Sequence, residues 1–334
     1  MASPLIFAHD YDHSGVGRHH LATQARAGTL TRIRKGVYVS SEVWRQLAWW
    51  EQYRFHIEAA VGKGRSERVL ACQSAAAIWG MPVIGRSPEV VLLASLGQHG
   101  QRRAGMHWIA SEILEPLQSL DGLTVTSRAQ TAVDVAARLP FEQAVPAMDH
   151  VLRRDKDRGL PALDKDQLHA LAERLATKTK AARAHRIIDF GDPQSGSVGE
   201  SLSRAQMYLF NLPAPILQHP FYAADGSLLG VTDFFWKEAR VAGEFDGSVK
   251  YSRGEYLKGR SPAEAVEKEK AREDRIRAEN VTFVRWTWQA AMNPECEHPR
   301  GLVQLLRAAG LRQDRWNHSW PGVGAPRAGR TDRA

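Results

Sequence analysis

Cysteine is nearly absent. Cys72 and Cys296 are the only two in 334 residues, and a pair so far apart forms no disulfide framework, which suits a reducing cytoplasm. Cys296 stands close to His298 without a second ligand pair nearby, so the spacing argues against a zinc site and for a loop. Long hydrophobic runs are missing as well. No stretch approaches the ~18 apolar residues of a membrane span. The apolar segment from Pro4 to Ala8 is too short for a secretory signal and lacks its basic leader. No internal repeat is visible. These absences point to a cytoplasmic protein without a membrane anchor.

What is present is an ordinary globular composition with a basic balance. Lys and Arg number 45 against 37 Asp and Glu, a formal charge of +8. An excess of positive charge favours polyanionic partners, nucleic acid first among them. The length favours two or three domains.

The first forty residues read as a small unit of two helices and a hairpin. Leu5-Ile6-Phe7 opens a short apolar stretch that His13-Ser14-Gly15 ends. A second helix fits from Gly17 or Arg18 to Ala27, stopped by Gly28. Leu30 to Arg34 and Val37 to Val39 alternate as strands around Lys35-Gly36. That order is the order of a winged helix-turn-helix, in which the second helix enters the major groove and the wing meets phosphates. The residues placed for DNA are Arg18, His19, His20, Gln24 and Arg26 on the helix, with Arg32, Arg34 and Lys35 on the wing. A solvated basic hairpin is the alternative.

Residues 42–155 read as a second α/β unit. It has helices over Trp44 to His56, Val69 to Ile78, from Ser127 or Thr131 through AVDVAARL, and Phe141 to Leu152. Its strands lie at Val90 to Leu96 and Leu123 to Thr126. Nothing in it has the spacing of a metal site or a nucleophile, and His99, His107 and Asp134 read as structural. A Lys/Arg-rich helical connector follows, with Leu168, Leu171 and Leu175 at helical spacing. The loop Asp192 to Gly196 is a boundary signal.

Beyond it, Val198, Leu202, Ala205 and Leu209 share one helix face. Ser197 and Glu200 either form a capping box, or Glu200 projects toward a site. Strands are expected at Ile216 to Tyr222, Leu228 to Trp236 and Arg240 to Phe245. A turn centred between Glu238 and Ala239 sets Asp233 directly opposite Glu244, with Cβ atoms roughly 5 Å apart. Two carboxylates so close repel unless something positive lies between them. Asp246 shares the face of Glu244 as long as the strand continues. Oxygen ligands of this kind suit Mg2+ or Mn2+, which supply what phosphodiester hydrolysis needs. Lys250 is the nearest candidate to steady developing charge. A charged helix from about Ser261 to Asn280, a strand from Val281 to Trp288 and a helix from Pro299 to Ala309 complete the unit. Lys268, Lys270, Arg272, Arg275 and Arg277 either line a DNA backbone or form a solvated face.

Helix, three strands, helix and strand carrying E…D…ExD resembles the PD-(D/E)xK nuclease superfamily. It looks most like the branch related to very-short-patch repair endonucleases, through Val231-Thr232-Asp233-Phe234 and Val241-Ala242-Gly243-Glu244-Phe245-Asp246-Gly247. The resemblance implies metal binding by Asp233 and Glu244, with Glu200 and Gln218 as auxiliary residues. Where that superfamily places its lysine, this chain has Asp246. The first 150 residues resemble the antitoxins of abortive-infection type IV toxin–antitoxin systems. The matching residues are Leu30 to Val39, Gln73-Ser74-Ala75-Ala76-Ala77-Ile78-Trp79-Gly80 and Thr131-Ala132-Val133-Asp134. That resemblance implies transcriptional repression and a cognate toxin as partner. The expectation is therefore an α/β (α+β) multidomain chain. It has a winged helix-turn-helix at 1–41, an antitoxin-like α/β domain at 42–155 and a helical connector at 156–192. An αβββαβ restriction-endonuclease-like domain at 193–312 and a disordered tail at 313–334 follow. Its function is metal-dependent endonuclease or non-catalytic repressor.

Overall fold

Two glycines bound the hairpin of the first sheet. Gly28 and Gly36 hold φ values of 80° and 77°, a left-handed conformation that glycine adopts without a Cβ penalty. In a computed structural model, residues 4–11, 18–62, 68–85, 89–94, 99–247, 262–314 and 319–320 are described. Strand β1 (Ile6–Phe7) leads through a 3-10 turn to helix α1 (Arg18–Arg26), then β2 (Leu30–Arg34) and β3 (Val37–Ser40). The sheet order is β1-β3-β2, antiparallel throughout. The first of the two expected helices is thus a strand. Its two residues face opposite sides, as strand alternation demands. Ile6 packs with Leu21, Leu30 and Tyr38 on one face, while Phe7 packs with Leu5, Val37, Val39 and Ala59 on the other.

The expected helix over Trp44 to His56 is two helices, α2 (Ser41–Gln46) and α3 (Trp49–Val61). The backbone is extended at Leu47 and Ala48, and Glu51 turns back to accept the Ala48 N–H at 2.7 Å. Val69 and Leu70, read as helix, form β4 (Val69–Leu70), and α4 (Cys72–Trp79) follows. The six-stranded sheet has the order β6-β7-β5-β4-β9-β8. Its other members are β5 (Val90–Leu93), β6 (Gln101–Arg103), β7 (Met106–Ile109), β8 (Gln118–Leu120) and β9 (Leu123–Val125). Leu70 is wholly buried because β4 lies between β5 and β9, and that pairing outweighs the helical pattern downstream. Ser127 caps α5 (Arg128–Arg138) by accepting the Gln130 N–H at 3.1 Å.

The chain divides into two compact units, Met1–Leu139 with Asp166–His185, and Pro140–Lys165 with Arg186–Ala334. Helix α6 (Phe141–Val151) therefore belongs with the C-terminal unit, while α7 (Lys165–Glu173) and the start of α8 (Lys178–Phe190) belong with the N-terminal one.

The C-terminal unit is built on α9 (Val198–Leu209) and the strands β10 (Ile216–Tyr222), β11 (Leu228–Trp236) and β12 (Val241–Phe245). Helix α10 (Pro262–Ala278), β13 (Thr282–Trp286), α11 (Trp288–Met292) and α12 (Leu302–Ala308) follow. The sheet order is β10-β11-β12-β13, with β13 parallel to β12. The expected order of helix, three strands, helix and strand is the order found. Residues 287 and 288, read as strand, instead open α11. One sheet face, with Phe221, Phe235, Ala242 and Phe283, packs against Ile276 of α10. On α9, Ser203 accepts the Trp286 indole N–H at 2.7 Å. Helix α9 is also tied to α6. Buried Arg204 donates to both oxygens of buried Asp149 at 2.7 and 2.9 Å and to the Phe190 carbonyl at 2.8 Å. Trp320, within the tail expected to be disordered, is buried and donates to the Leu212 carbonyl at 2.9 Å. No described helix is long and apolar enough to cross a membrane.

Candidate functional site

The β11–β12 hairpin pairs Phe234 with Gly243, Phe235 with Ala242 and Trp236 with Val241. This is the register that sets Asp233 and Glu244 at the next opposed position. The two carboxylates nevertheless go to different partners. Asp233 Oδ2 accepts the Phe245 backbone N–H at 2.9 Å. Glu244 is buried and lies beside Arg285, its parallel partner on β13.

Glu244 Oε1 accepts from Arg272 at 2.5 Å, and Oε2 faces Arg285 at 2.9 Å. Glu269 bridges the same two guanidiniums, and Glu273 accepts from Arg285 at 2.9 Å. Three acids and two arginines thus form one network across α10, β12 and β13. Burial pushes the Glu244 carboxyl up to about 7, while the adjacent Arg272 and Arg285 pull the other way. The carboxylates in turn raise both guanidiniums against the cost of burial. The arginines stand between Glu244, Glu269 and Glu273.

Glu200 lies in the first turn of α9. Ser197 caps the helix by accepting the Glu200 N–H at 3.2 Å. The Glu200 Oε2 accepts the Gly196 N–H at 2.8 Å and the Gln218 amide Nε2–H at 3.0 Å. Gln218 holds φ 48° within β10, where the ladder to β11 skips from Leu217 to His219. The kink falls opposite Asp233 and lets the amide reach Glu200. The structure therefore joins Glu200 to Gln218, and it joins Glu244 to two arginines. Asp246 falls just beyond the end of β12. It is half-buried, and its N–H donates to the Trp286 carbonyl at 2.8 Å. That bond continues the β12–β13 ladder one residue past Phe245. Lys250 lies outside the described residues.

The resemblance implies a divalent ion held by Asp233 and Glu244, to which strand alternation added Asp246, and the side chains present do not fit one. Each Glu244 oxygen already faces a guanidinium, and Asp233 Oδ2 is bonded to the backbone. Among the described residues no three His, Cys, Asp or Glu side chains are grouped as a metal site.

At the N-terminal end, His19, His20, Arg26, Arg32 and Lys35 are exposed, and Gln24 is half-exposed. Arg18 opens α1. Arg34 is drawn into the fold: it is half-buried and donates to the Ala104 carbonyl at 3.2 Å. Burial and nearby Arg68 lower its pKa.

No family model matches the chain. It is similar to two sequences of Mycobacterium tuberculosis, "Uncharacterized protein MT2308" and "Uncharacterized protein Rv2248". Each is 27% identical over 240 residues, covering 71% of this chain and 80% of the relative. Among solved structures, the RV2827C protein of Mycobacterium tuberculosis aligns with 66% of this chain and 84% of its own at 14% identity. The TM-score is 0.35, too loose to define a common fold.

Sequence reasoning missed the part that Arg272 and Arg285 play. The first was hidden in a helix so densely charged that every cation read as solvated or as facing DNA. The second carried a signal. It is the one charged residue in Thr282-Phe283-Val284-Arg285-Trp286, an otherwise largely apolar strand, and a charge placed there calls for a partner.

Proposed function

We propose that the chain is a non-catalytic DNA-binding protein of repressor type, whose C-terminal unit has a nuclease-like element order. The observation that carries this reading is the capture of Glu244 by Arg272 and Arg285. It leaves the acidic centre neutralised by protein cations. DNA contact then falls to the N-terminal sheet and α1, where Arg26, Arg32 and Lys35 stand exposed and form no ion pair among the described residues. In a winged helix the wing's cations meet phosphates and the helix meets base edges. A cognate toxin as a protein partner belongs to the same reading.

The test is fluorescence anisotropy with DNA from upstream of the coding sequence and with an unrelated duplex. Arg32→Ala with Lys35→Ala should weaken binding and flatten the dependence of log Kd on log salt by about 0.9 for each phosphate no longer neutralised. Binding that ignores both substitutions, or ignores salt, would sink the proposal.

A second reading, a divalent-metal endonuclease, is favoured by the hairpin register at Asp233 and Glu244. It requires both guanidiniums to leave Glu244. Nicking of plasmid DNA that needs Mg2+ or Mn2+ and disappears in Asp233→Ala and Glu244→Ala would establish it. The absence of any such nicking favours the first reading.

A further inference from the structure

The six-stranded sheet of the N-terminal unit flanks a cavity of about 520 Å³. Five basic side chains from four elements line it: Arg102 of β6, His107 of β7, Arg138 of α5, and Lys180 and Arg183 of α8. No acidic residue is among the lining residues. Arg102 and His107 are direct partners across the β6–β7 ladder. Thr177 and Thr179, at the start of α8, complete one wall. The Thr177 hydroxyl accepts the Lys180 N–H at 3.3 Å, so the positive end of a thirteen-residue helix also faces this space.

Some of these cations have partners that fix their position. Arg138 lies 3.5 Å from Asp134 and donates to the Ala110 carbonyl at 3.2 Å. Arg183 donates to the Leu139 carbonyl at 3.1 Å. Arg102 faces Glu89 at 3.4 Å from a largely exposed position. The Lys180 ammonium makes no ion pair among the described residues. Burial lowers its pKa, and Arg138 lowers it further. Burial and Arg102 do the same to His107. Asp134 and Glu89 offset part of the repulsion among these groups, and an anion bound from outside would relieve the rest.

We propose that this cavity binds a phosphate monoester of roughly mononucleotide size. Its phosphate sits between Lys180, Arg102 and Arg138, near the N-terminus of α8. The volume falls within the range of small-molecule sites, roughly 300–1,000 Å³. Guanidinium forks with a point-charge lysine are the donor set that phosphate oxygens select. The chemistry is shared by a free phosphorylated metabolite and by the 5′-phosphate at the end of a nucleic-acid strand. The site is separate from the hairpin of the C-terminal unit and does not depend on the function proposed for the chain.

The experiment is isothermal titration calorimetry of the full chain at fixed ionic strength. The probes are inorganic phosphate, adenosine monophosphate, and one short oligonucleotide with and without a 5′-phosphate. Saturable binding of a phosphate-bearing probe is expected. Lys180→Gln or Arg102→Gln alone should weaken it several-fold, and the double variant at least tenfold. Both side chains are free to change without removing a buried hydrogen bond, and circular dichroism checks that the variants fold. Arg103→Gln, the exposed neighbour on the opposite side of β6, should stay within twofold of the wild type. Binding led by adenosine monophosphate assigns a metabolite, and binding led by the 5′-phosphorylated strand assigns a nucleic-acid end. The proposal is overturned if no probe binds saturably at millimolar concentration. It is overturned equally if the folded double variant binds as the wild type does, or if Arg103→Gln weakens binding as much.

Discussion

Gly243→Ala tests the packing around the acidic hairpin with a change of sign. Intrinsic conformational preference favours alanine over glycine within a strand by roughly 0.5–1 kcal/mol. Packing opposes it. A Cβ at Gly243 would stand 2.7 Å from two ring carbons of Trp286 and 3.2 Å from Trp236. Carbon atoms rest about 3.5–4.0 Å apart, so the overlap is about 1 Å. Trp286 has little room to yield, because it is buried and its indole N–H is held by Ser203 at 2.7 Å. Overpacking of this kind costs about 1–3 kcal/mol, which exceeds the conformational gain. We expect a net loss of about 1–2 kcal/mol in urea denaturation of the full chain, read as a lower midpoint at constant slope. The penalty should shrink by at least about 1 kcal/mol in a Trp286→Phe background, since touching residues couple. A Gly243→Ala protein as stable as the wild type, or a penalty that Trp286→Phe leaves unchanged, would refute the reasoning.

Two further outcomes follow from buried charge. Glu244 is raised from 4.5 to about 7, so in that window the folded chain holds a proton the unfolded chain has released. Its contribution to stability is present below the unfolded value and is lost as pH rises through about 7. At 1.36 kcal/mol per pKa unit the amplitude is roughly 3 kcal/mol. Urea midpoints at acid and mildly alkaline pH should differ accordingly in the wild type and lose that slope in Glu244→Gln, and an identical slope in both would contradict the assignment. Asp149→Ala leaves buried Arg204 without its carboxylate and should cost about 3–5 kcal/mol. A loss under about 1 kcal/mol in the same titration would show that the pair is solvated, as exposed pairs are.

The elements of the C-terminal unit were largely legible because their signals are local. Ser197 marks the start of α9, alternation marks β10 and β11, and the link from Lys237 to Arg240 sets the hairpin register. Alternation also fixed which residues of β12 share a face. What a short neighbourhood in the chain could not carry was the identity of a side chain's partner. Arg285 reaches Glu244 only because β13 runs parallel to β12, a crossover spanning α10. Arg272 reaches it because Ile276, one turn on, is buried against the sheet and fixes the helix's rotation.

The same distinction separates the two ends of the chain. Sequence alone determined the β2–β3 hairpin, since Gly36 supplies the positive φ of its turn. It determined the basic excess, and it narrowed the start of α5 to Ser127 or Thr131, of which the structure caps with Ser127. Tertiary structure decided that Ile6 and Phe7 are strand, that Val69 and Leu70 complete a sheet, and that Arg34 serves the fold. It alone gathered Arg102, His107, Arg138, Lys180 and Arg183 around one cavity, from segments far apart in the chain. Helical and strand periodicity are written within a few residues. Burial, charge pairing and concavity arise only where distant segments meet, and there the partner decides what each side chain does.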